Sequence, residues 1–222
     1  MEKDLRDSEL FEEKFQWKER RDNGRFFLVV GLVFVLLFSL VFTWRQNFGG
    51  VEVDGASMNR TLSNGDKLLM RYTNASVKAE RGDVIVVDVR GYEEFDVGVG
   101  EIRTNFLIKR LIAVEGDSLY CEDGDIFIRY AGATDFVKLQ EDYVYFEGNG
   151  KTKADCDFAL YEVGAGEVFF LGDNRNNSRD SRFQESNSRL NCLYKESDIY
   201  GIVPEWAIEH KNVLEKIFFA WQ

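Results

Sequence analysis

The chain has 222 residues, 45% of them hydrophobic, which is enough for one globular domain with a packed core and an additional segment. Its formal net charge of -11 argues against nucleic acid as a partner, because phosphate binding requires clustered positive charge. A single His and three Cys without paired ligand spacing argue against a protein-bound zinc or other metal, and no cofactor is expected.

The first predicted element is a membrane-spanning helix. Residues 26–44 carry no charge and, as a helix, extend about 28 Å, which matches the apolar thickness of a bilayer. A cleavable signal peptide is the alternative, but its apolar core is shorter and ends in small residues, whereas this run ends in Phe42 and Trp44. We therefore expect a tail at 1–25, a lipid-embedded helix at 26–44 and a separate domain at 45–222.

Basic residues flank the predicted helix unequally. Five lie between positions 14 and 25, and only Arg45 and Arg60 fall in the twenty residues that follow the helix. Cytoplasmic flanks of membrane helices are enriched in Lys and Arg. The sequence thus predicts a single-pass plasma-membrane protein with a cytoplasmic N-terminus and an extracytoplasmic domain.

The cysteines allow two interpretations. Outside the cytoplasm, Cys121 and Cys156 are the better candidates for a disulfide, with Cys192 left over. Three unpaired thiols are the alternative, and the sequence does not decide between the two.

The domain is predicted to be mainly β. Short runs rich in β-branched and aromatic residues alternate with turns containing Gly, Asn and Asp. The clearest predicted strands are residues 84–89, 106–114, 126–130, 143–146 and 168–171. Apolar residues at roughly helical spacing in 206–221 predict a helical segment that packs on the domain or lies at the membrane surface.

Two segments carry the candidate chemistry. Ser57 follows a Gly-containing bend soon after the predicted helix, and Lys109 and Arg110 interrupt an otherwise apolar strand. Burial disfavours the charged form of Lys, and a neutral Lys can serve as general base for a Ser nucleophile. The residues alone leave an alternative, in which Lys109 faces solvent and Arg110 forms a structural ion pair.

Four ordered motifs resemble those of the type I signal peptidases. They are Ser57-Met58 with Thr61-Leu62, the sequence Arg-Gly-Asp-Val-Ile-Val at 81–86, Lys109-Arg110 with Gly116-Asp117, and the Gly-Asp-Asn-Arg to Asp-Ser-Arg sequence at 172–182. The last is the most specific, and the resemblance covers roughly residues 51–205. It implies a transmembrane helix followed by an all-β catalytic domain, and a membrane-bound serine endopeptidase that cuts signal peptides from exported preproteins after small-x-small sites.

The resemblance also implies roles for the matching residues. Ser57 would be the nucleophile, Lys109 the general base, and Ser178 a hydrogen-bond partner that orients the lysine amine. Met58 would pack near the nucleophile at the substrate site. Four charged residues would form a supporting salt-bridge network: Arg110, Asp173, Asp180 and Arg182.

Substrate binding is expected to add a strand to the domain. The extended preprotein segment would lie between residues 51–56 and 104–108, held by main-chain hydrogen bonds. Val53 and Ile108 would wall shallow pockets that admit small side chains. Gly55 lies beside the nucleophile, at the position where some family members supply an oxyanion-stabilising hydroxyl, so the backbone must supply more of that stabilisation.

Two positions depart from the family pattern. Arg60 stands where Pro is usual, and Ala113 stands where Gly is usual. Loss of Pro is expected to loosen the turn after the nucleophile and to change the rate or narrow the substrate range. A catalytically impaired, membrane-tethered β scaffold therefore stays open as an alternative function. A self-cleaving Ser/Lys regulator, which would share the dyad and a related β fold, is a second alternative, although the membrane-spanning run at 26–44 argues against it.

Overall fold

A computed structural model describes residues 2–90, 106–148, 157–182 and 194–219, and the chain divides into two compact units, Met1–Asn47 and Phe48–Gln222. The first unit is one helix, α1 (Glu2–Asn47). Its portion Asn23–Asn47 contains an 18-residue stretch with a mean hydropathy of 2.9 and is long and apolar enough to cross a membrane.

Helix α1 extends past both ends of the predicted run at 26–44. The predicted tail is helical from Glu2, because its many Glu, Lys and Arg residues favour helix even though they are not apolar. At the other end, the second unit begins at Phe48, three residues later than predicted.

The described part of the second unit contains eleven strands. They are β1 (Phe48–Glu52), β2 (Lys67–Tyr72), β3 (Val84–Asp88), β4 (Phe106–Val114), β5 (Ser118–Glu122), β6 (Asp125–Arg129), β7 (Val137–Lys138), β8 (Phe158–Glu162), β9 (Glu167–Leu171), β10 (Tyr194–Lys195) and β11 (Ile199–Val203). Two short helices follow, α2 (Glu205–Glu209) and α3 (Lys211–Leu214), and then a π-helical turn at Glu215–Phe219.

The strands form two antiparallel sheets. The larger has the order β1-β2-β11-β3-β4-β9-β10, and the smaller has the order β7-β6-β5-β8. Strands β3, β4, β6 and β9 match four of the predicted strands to within one residue at each end, and the mainly β class is confirmed.

The predicted strand at 143–146 is wrong. In that segment only Tyr145 forms a bridge, a single parallel one with Asn174. The backbone N–H of Tyr145 donates to the Asp173 carbonyl, and its own carbonyl accepts from the N–H of Arg175. The alternating aromatic residues satisfy the strand pattern, but these hydrogen bonds go to a loop rather than to a neighbouring strand.

Strand β4 runs through the centre of the core. Ile108 packs in one buried cluster, Leu111 in a second, and Ile112 with Ala113 in a third. A register shift between Leu111 and Ala113 in the pairing with β9 accompanies this change of surroundings. Ala113 is fully buried opposite Phe169, so the methyl group that replaces the usual Gly hydrogen is accommodated within the core.

The C-terminal helices pack on the domain, which was one of the two predicted alternatives. Ala207 is fully buried, and Ile208 and Leu214 pack against the same cluster as Val53 and Met58. The outward residues of this segment remain exposed: Trp206, Val213, Ile217 and Phe218. Trp221 lies outside the described residues.

Of the cysteines, Cys121 is buried in β5. Cys156 and Cys192 lie outside the described residues. The disulfide between Cys121 and Cys156 therefore stays a prediction.

Candidate active site

Ser57 lies in the loop between β1 and β2, which we call the nucleophile loop (residues 53–66). Its base is closed by two backbone hydrogen bonds, Val53 N to Asp66 O at 2.9 Å and Gly65 N to Val53 O at 2.8 Å. Gly55 adopts a φ of 92°, a conformation that favours Gly, and its N–H donates to the side-chain oxygen of Asn64 at 2.7 Å. The bend before Ser57 is thus held by the loop's own hydrogen bonds.

Lys109 lies in β4 and its amine reaches the serine. The amine nitrogen is 2.8 Å from Ser57 Oγ and 2.9 Å from the Ile108 carbonyl oxygen. The residue is 3% exposed, and burial lowers the pKa of its amine to about 8, although the negative charges of Asp180 and Asp173 act in the opposite direction. Near pH 8, therefore, a large fraction of Lys109 is neutral and able to accept the serine proton.

Arg110 and Asp173 form a buried, bidentate ion pair. Sheet register places Arg110 opposite Leu171, two residues before Asp173. The two N–H to carboxylate distances are 2.8 and 2.6 Å, and Thr61 Oγ donates to the same carboxylate at 2.6 Å. Burial opposes the charge of Arg110, but the Asp173 carboxylate outweighs it and the net pKa of the guanidinium is raised. The pair joins β4, the nucleophile loop and the loop after β9.

Asp180 and Arg182 form a second, separate pair. Arg182 donates to both carboxylate oxygens at 2.9 and 2.8 Å, and the Gly172 N–H adds a third hydrogen bond at 3.0 Å. Burial works to raise the pKa of Asp180, yet Arg182 and the Gly172 N–H lower it overall. This pair closes the loop 172–182 onto its own first residue.

The expected hydrogen bond from Ser178 to the Lys109 amine is not present. The amine bonds to Ser57 and to the Ile108 carbonyl, whereas the Ser178 hydroxyl oxygen is buried and makes no hydrogen bond of ordinary geometry with the described residues. The same hydroxyl is a minor contributor to the lowered pKa of Asp180. Ser178 lies against Gly172, and the Ile108 carbonyl of β4 accepts a hydrogen bond from the amine instead.

Asn174 was missed as a site residue. Its backbone N–H donates to the Ser57 carbonyl at 2.9 Å, and its side-chain amide donates to the Ala56 carbonyl at 3.0 Å. Glu147 accepts a further bond from the same amide at 2.9 Å. Asn174 belongs to the most specific motif, so the motif pointed to it, but only the structure identifies what it holds.

A second missed feature is the segment 141–148, which we call the strap. Glu141 and Arg175 form an ion pair in which both side chains are almost completely buried, with one N–H to carboxylate distance of 2.8 Å. The Tyr143 hydroxyl donates to Glu141 at 2.6 Å, and the Arg110 guanidinium stacks 3.9 Å from the centre of the Tyr143 ring. Burial and the neighbouring Glu141 raise the pKa of the Tyr143 phenol. The strap therefore buttresses the Arg110–Asp173 pair, and no local sequence pattern reveals it.

Three of the four predicted substrate-binding residues lie in one cluster, and the four differ in how exposed they are. Val53, Met58 and Ile108 belong to one buried cluster, with Met58 completely inaccessible and Ile108 9% exposed. Gly55 is exposed. Met58 can therefore support a pocket only from behind, whereas Ile108 retains a small accessible surface.

Arg60 changes the backbone after the nucleophile. Its φ is 84°, in the left-handed region, whereas Pro is restricted to a φ near -65°. The chain at this position therefore adopts a conformation that the usual Pro cannot, rather than a looser version of the same turn. A non-Gly residue in this region costs on the order of 1 kcal/mol or more.

A serine hydroxyl beside a buried lysine amine, in a mainly β domain, is the arrangement of a serine hydrolase. The family described as signal peptidase, peptidase S26, matches residues 25–213, and the chain belongs to this family of serine endopeptidases. The resemblance noted from the motifs is thereby confirmed.

The individual relatives have low sequence identity to this chain. Signal peptidase I of Bacillus licheniformis is 31% identical over 131 residues, which cover 59% of this chain and 63% of that protein, less than two thirds of its length. Signal peptidase I P of Bacillus subtilis subsp. natto is 27% identical over 192 residues, covering 83% and 89%. A crystal structure of a signal peptidase I from Enterococcus faecalis V583 is similar over 58% of this chain and 98% of that chain, with 23% identity and a TM-score of 0.41.

The Asp180–Arg182 pair should contribute strongly to stability. Asp180 is completely buried and the Arg182 side chain is 6% exposed, so Asp180→Ala removes a buried carboxylate that accepts from Arg182 and from the Gly172 N–H, and should cost about 3 kcal/mol in the free energy of unfolding. Urea denaturation measures this loss.

The matched control is Asp125→Ala, because Asp125 pairs with Lys138 on the surface, where both side chains are at least one third exposed. Its cost should stay below about 1 kcal/mol. Equal costs for the two variants would show that the Asp180 pair is solvated.

Proposed function

We propose that this chain is a membrane-bound serine endopeptidase that removes N-terminal signal peptides from exported preproteins, with Ser57 as nucleophile and Lys109 as general base. The observation that carries the proposal is the 2.8 Å contact between Ser57 Oγ and a buried lysine amine whose pKa is lowered to about 8. Family membership supports the kind of substrate.

The chemistry follows from this pair. The neutral Lys109 amine accepts the Ser57 hydroxyl proton while Oγ attacks the scissile carbonyl carbon, which gives a tetrahedral oxyanion. When the C–N bond breaks, the Lys109 ammonium donates that proton to the departing amine, and an acyl ester remains on Ser57. Water, deprotonated by Lys109, then hydrolyses the ester and regenerates both groups.

The oxyanion requires hydrogen-bond donors. No hydrogen bond from the Ser57 backbone N–H is found among the described residues, so this N–H is available to the developing negative charge. Gly55, two residues earlier, has no side-chain donor to add. Two bonds from Asn174, to the Ser57 and Ala56 carbonyls, hold the peptide groups around this N–H.

Two unpaired backbone edges support the strand-addition mode of substrate binding. In the described sheets, β1 is an edge strand paired only with β2, and β9 pairs with β4 only from Arg110 onward. Residues 106–108 therefore have β3 on one side and no strand on the other. An extended preprotein segment can hydrogen-bond to these edges. Thr104 and Asn105, the start of the predicted segment, lie outside the described residues.

Cleavage after small-x-small sites is part of the same proposal. Val53 and Ile108 belong to one close-packed cluster and retain little accessible surface. A large side chain placed against such walls would have to displace packed core atoms, so a small side chain is favoured.

We also propose that α1 anchors the chain in the plasma membrane, with residues 1–25 in the cytoplasm and the domain outside. The apolar portion of α1 and the basic residues before it support this orientation. Protease added to spheroplasts should digest the domain and spare residues 1–25, and the opposite pattern would reverse the orientation.

Cleavage of a precursor tests the function directly. The purified full chain in detergent should cut an exported preprotein after a small-x-small site, as mapped by mass spectrometry of the two products. If no precursor were cleaved, the scaffold function would be favoured instead.

The activity should rise with pH through a single ionisation near 8. Only neutral Lys109 accepts the proton, so the rate constant kcat/KM should fall about tenfold for each pH unit below the pKa and level off above it. A pH profile between 5.5 and 9.5 measures this dependence. A profile that levels off near pH 6 would indicate a histidine or carboxylate base instead.

A further inference from the structure

A cavity of about 520 Å³ lies beside the nucleophile loop. Its lining residues are Asn59, Arg60, Ser63 and Tyr145. All four are polar, and none is a carboxylate. The cavity therefore offers hydrogen-bond donors and one positive charge, without a negative charge of its own.

Within the part of the chain that the structure describes, the positive charge in this cavity has no partner. Arg60 is exposed, and its side chain makes no ion pair or hydrogen bond with any described residue. Arg81, Arg110, Arg175 and Arg182 each pair with a carboxylate, whereas the exposed Arg60 and Arg71 pair with no described residue. In a chain with 39 acidic residues, an uncompensated arginine in a cavity is available to a carboxylate from outside the chain.

The backbone conformation of Arg60 also supports a binding role for this residue. Its φ of 84° is one that Gly adopts freely and other residues adopt at a cost. Such costs concentrate at binding and catalytic sites, where the side chain serves a purpose that Gly cannot. The strained residue is also the one that supplies the cavity's charge.

The cavity would receive the part of the substrate that continues past the scissile bond. Arg60 is three residues after Ser57, at most about 11 Å along the chain, and the bond from Thr61 N to Met58 O shortens the path. The opposite wall, Tyr145, bridges to Asn174, which holds the Ser57 carbonyl. The proposed signal-peptide site lies along the residues that precede Ser57 and Lys109, so the mature part of the substrate extends to the other side.

We propose that this cavity binds the first residues of the mature protein and that Arg60 favours an acidic side chain there. The preferred substrates are preproteins with Asp or Glu among the first three residues after the cleavage site. This inference rests on the proposed peptidase function and adds a specificity determinant to it.

Pairs of peptides that differ in one charge test this inference. Each carries the same small-x-small site, with Glu or Gln at the first, second or third position after it, and the full chain in detergent is the enzyme. At one of these positions, wild type should cleave the Glu peptide with a kcat/KM about three- to tenfold above that of the Gln peptide. The ratio should approach one in Arg60→Gln and fall below one in Arg60→Glu.

The ratio within each enzyme removes any general change in rate caused by the substitution. Lys138→Gln is the matched control, because it removes the same charge from the smaller sheet, and it should keep the wild-type ratio. The wild-type preference should also shrink in 1 M salt.

A ratio of one in wild type, or an unchanged ratio in Arg60→Gln, would overturn the inference while leaving the peptidase function in place. Failure of wild type to cut any of the peptides would overturn both.

Discussion

Ser57→Ala and Lys109→Met should each reduce cleavage by at least about 10⁴-fold, and the double variant should be hardly slower than either single variant. The reason is that the two groups, 2.8 Å apart, transfer one proton and act as a single unit. Single-turnover assays of the full chain with a preprotein measure all three rates. Additive losses would show that the serine and lysine act independently.

Stability measurements separate this loss from unfolding. At neutral pH the buried Lys109 ammonium is unfavourable by about 3 kcal/mol relative to solvent, since its pKa is lowered to about 8. Met at this position removes the charge and keeps an apolar side chain of similar length, so Lys109→Met should keep or raise the melting temperature. Lys109→Arg should be inactive as well, because guanidinium does not deprotonate in proteins.

His210 is the control for the identity of the base. It lies on the surface between α2 and α3, with its ring nitrogen 2.9 Å from the Trp206 carbonyl. His210→Ala should retain wild-type activity. Substantial activity in Lys109→Met together with loss in His210→Ala would assign the base to the histidine.

Gly172→Ala adds a methyl group to the site, and this substitution should damage the site more than the same change at its other glycines. A Cβ atom at Gly172 would lie 2.2 Å from Ser178 Oγ and 2.6 Å from the Ser57 carbonyl oxygen. The carbonyl belongs to the backbone of the nucleophile, so the clash cannot be relieved by rotating a side chain. We expect a loss of about 1 to 3 kcal/mol in stability and, because the nucleophile shifts, a fall of about 10²-fold or more in kcat.

Gly164→Ala is the matched comparison. A Cβ there would lie 2.7 Å from an oxygen of Glu167, which is the far end of a flexible side chain and can move away. Activity and melting temperature should stay close to wild type. If Gly172→Ala were as active as Gly164→Ala, the close approach of Gly172 to the nucleophile would not be needed for activity.

The local sequence pattern was sufficient to predict the elements whose formation depends on residues close together in the chain. The uncharged run at 26–44 predicted the apolar portion of α1, and the nearly continuous apolar run at 106–114 predicted the limits of β4. The ordered motifs predicted the family, because each motif is a short run whose residue types are tied to one chemistry.

The local sequence pattern gave wrong or missing predictions where hydrogen bonds connect segments that are far apart in the chain. Residues 143–146 look like a strand, but they form the strap, and the Glu141–Arg175 pair spans 34 positions. The left-handed conformation of Arg60 also escaped prediction, because nothing in the residue itself requires a positive φ.

From the sequence alone, the resemblance of the ordered motifs predicted that a serine, a lysine and the motif at 172–182 belong to one site. Only the tertiary structure decided how they meet. Ser57 and Lys109 are 52 positions apart and Arg110 and Asp173 are 63 apart, so their contacts depend on the register of β4 against β3 and β9. Register is set by the packing of whole strands in a shared core, so no short run of residues specifies which distant side chains meet.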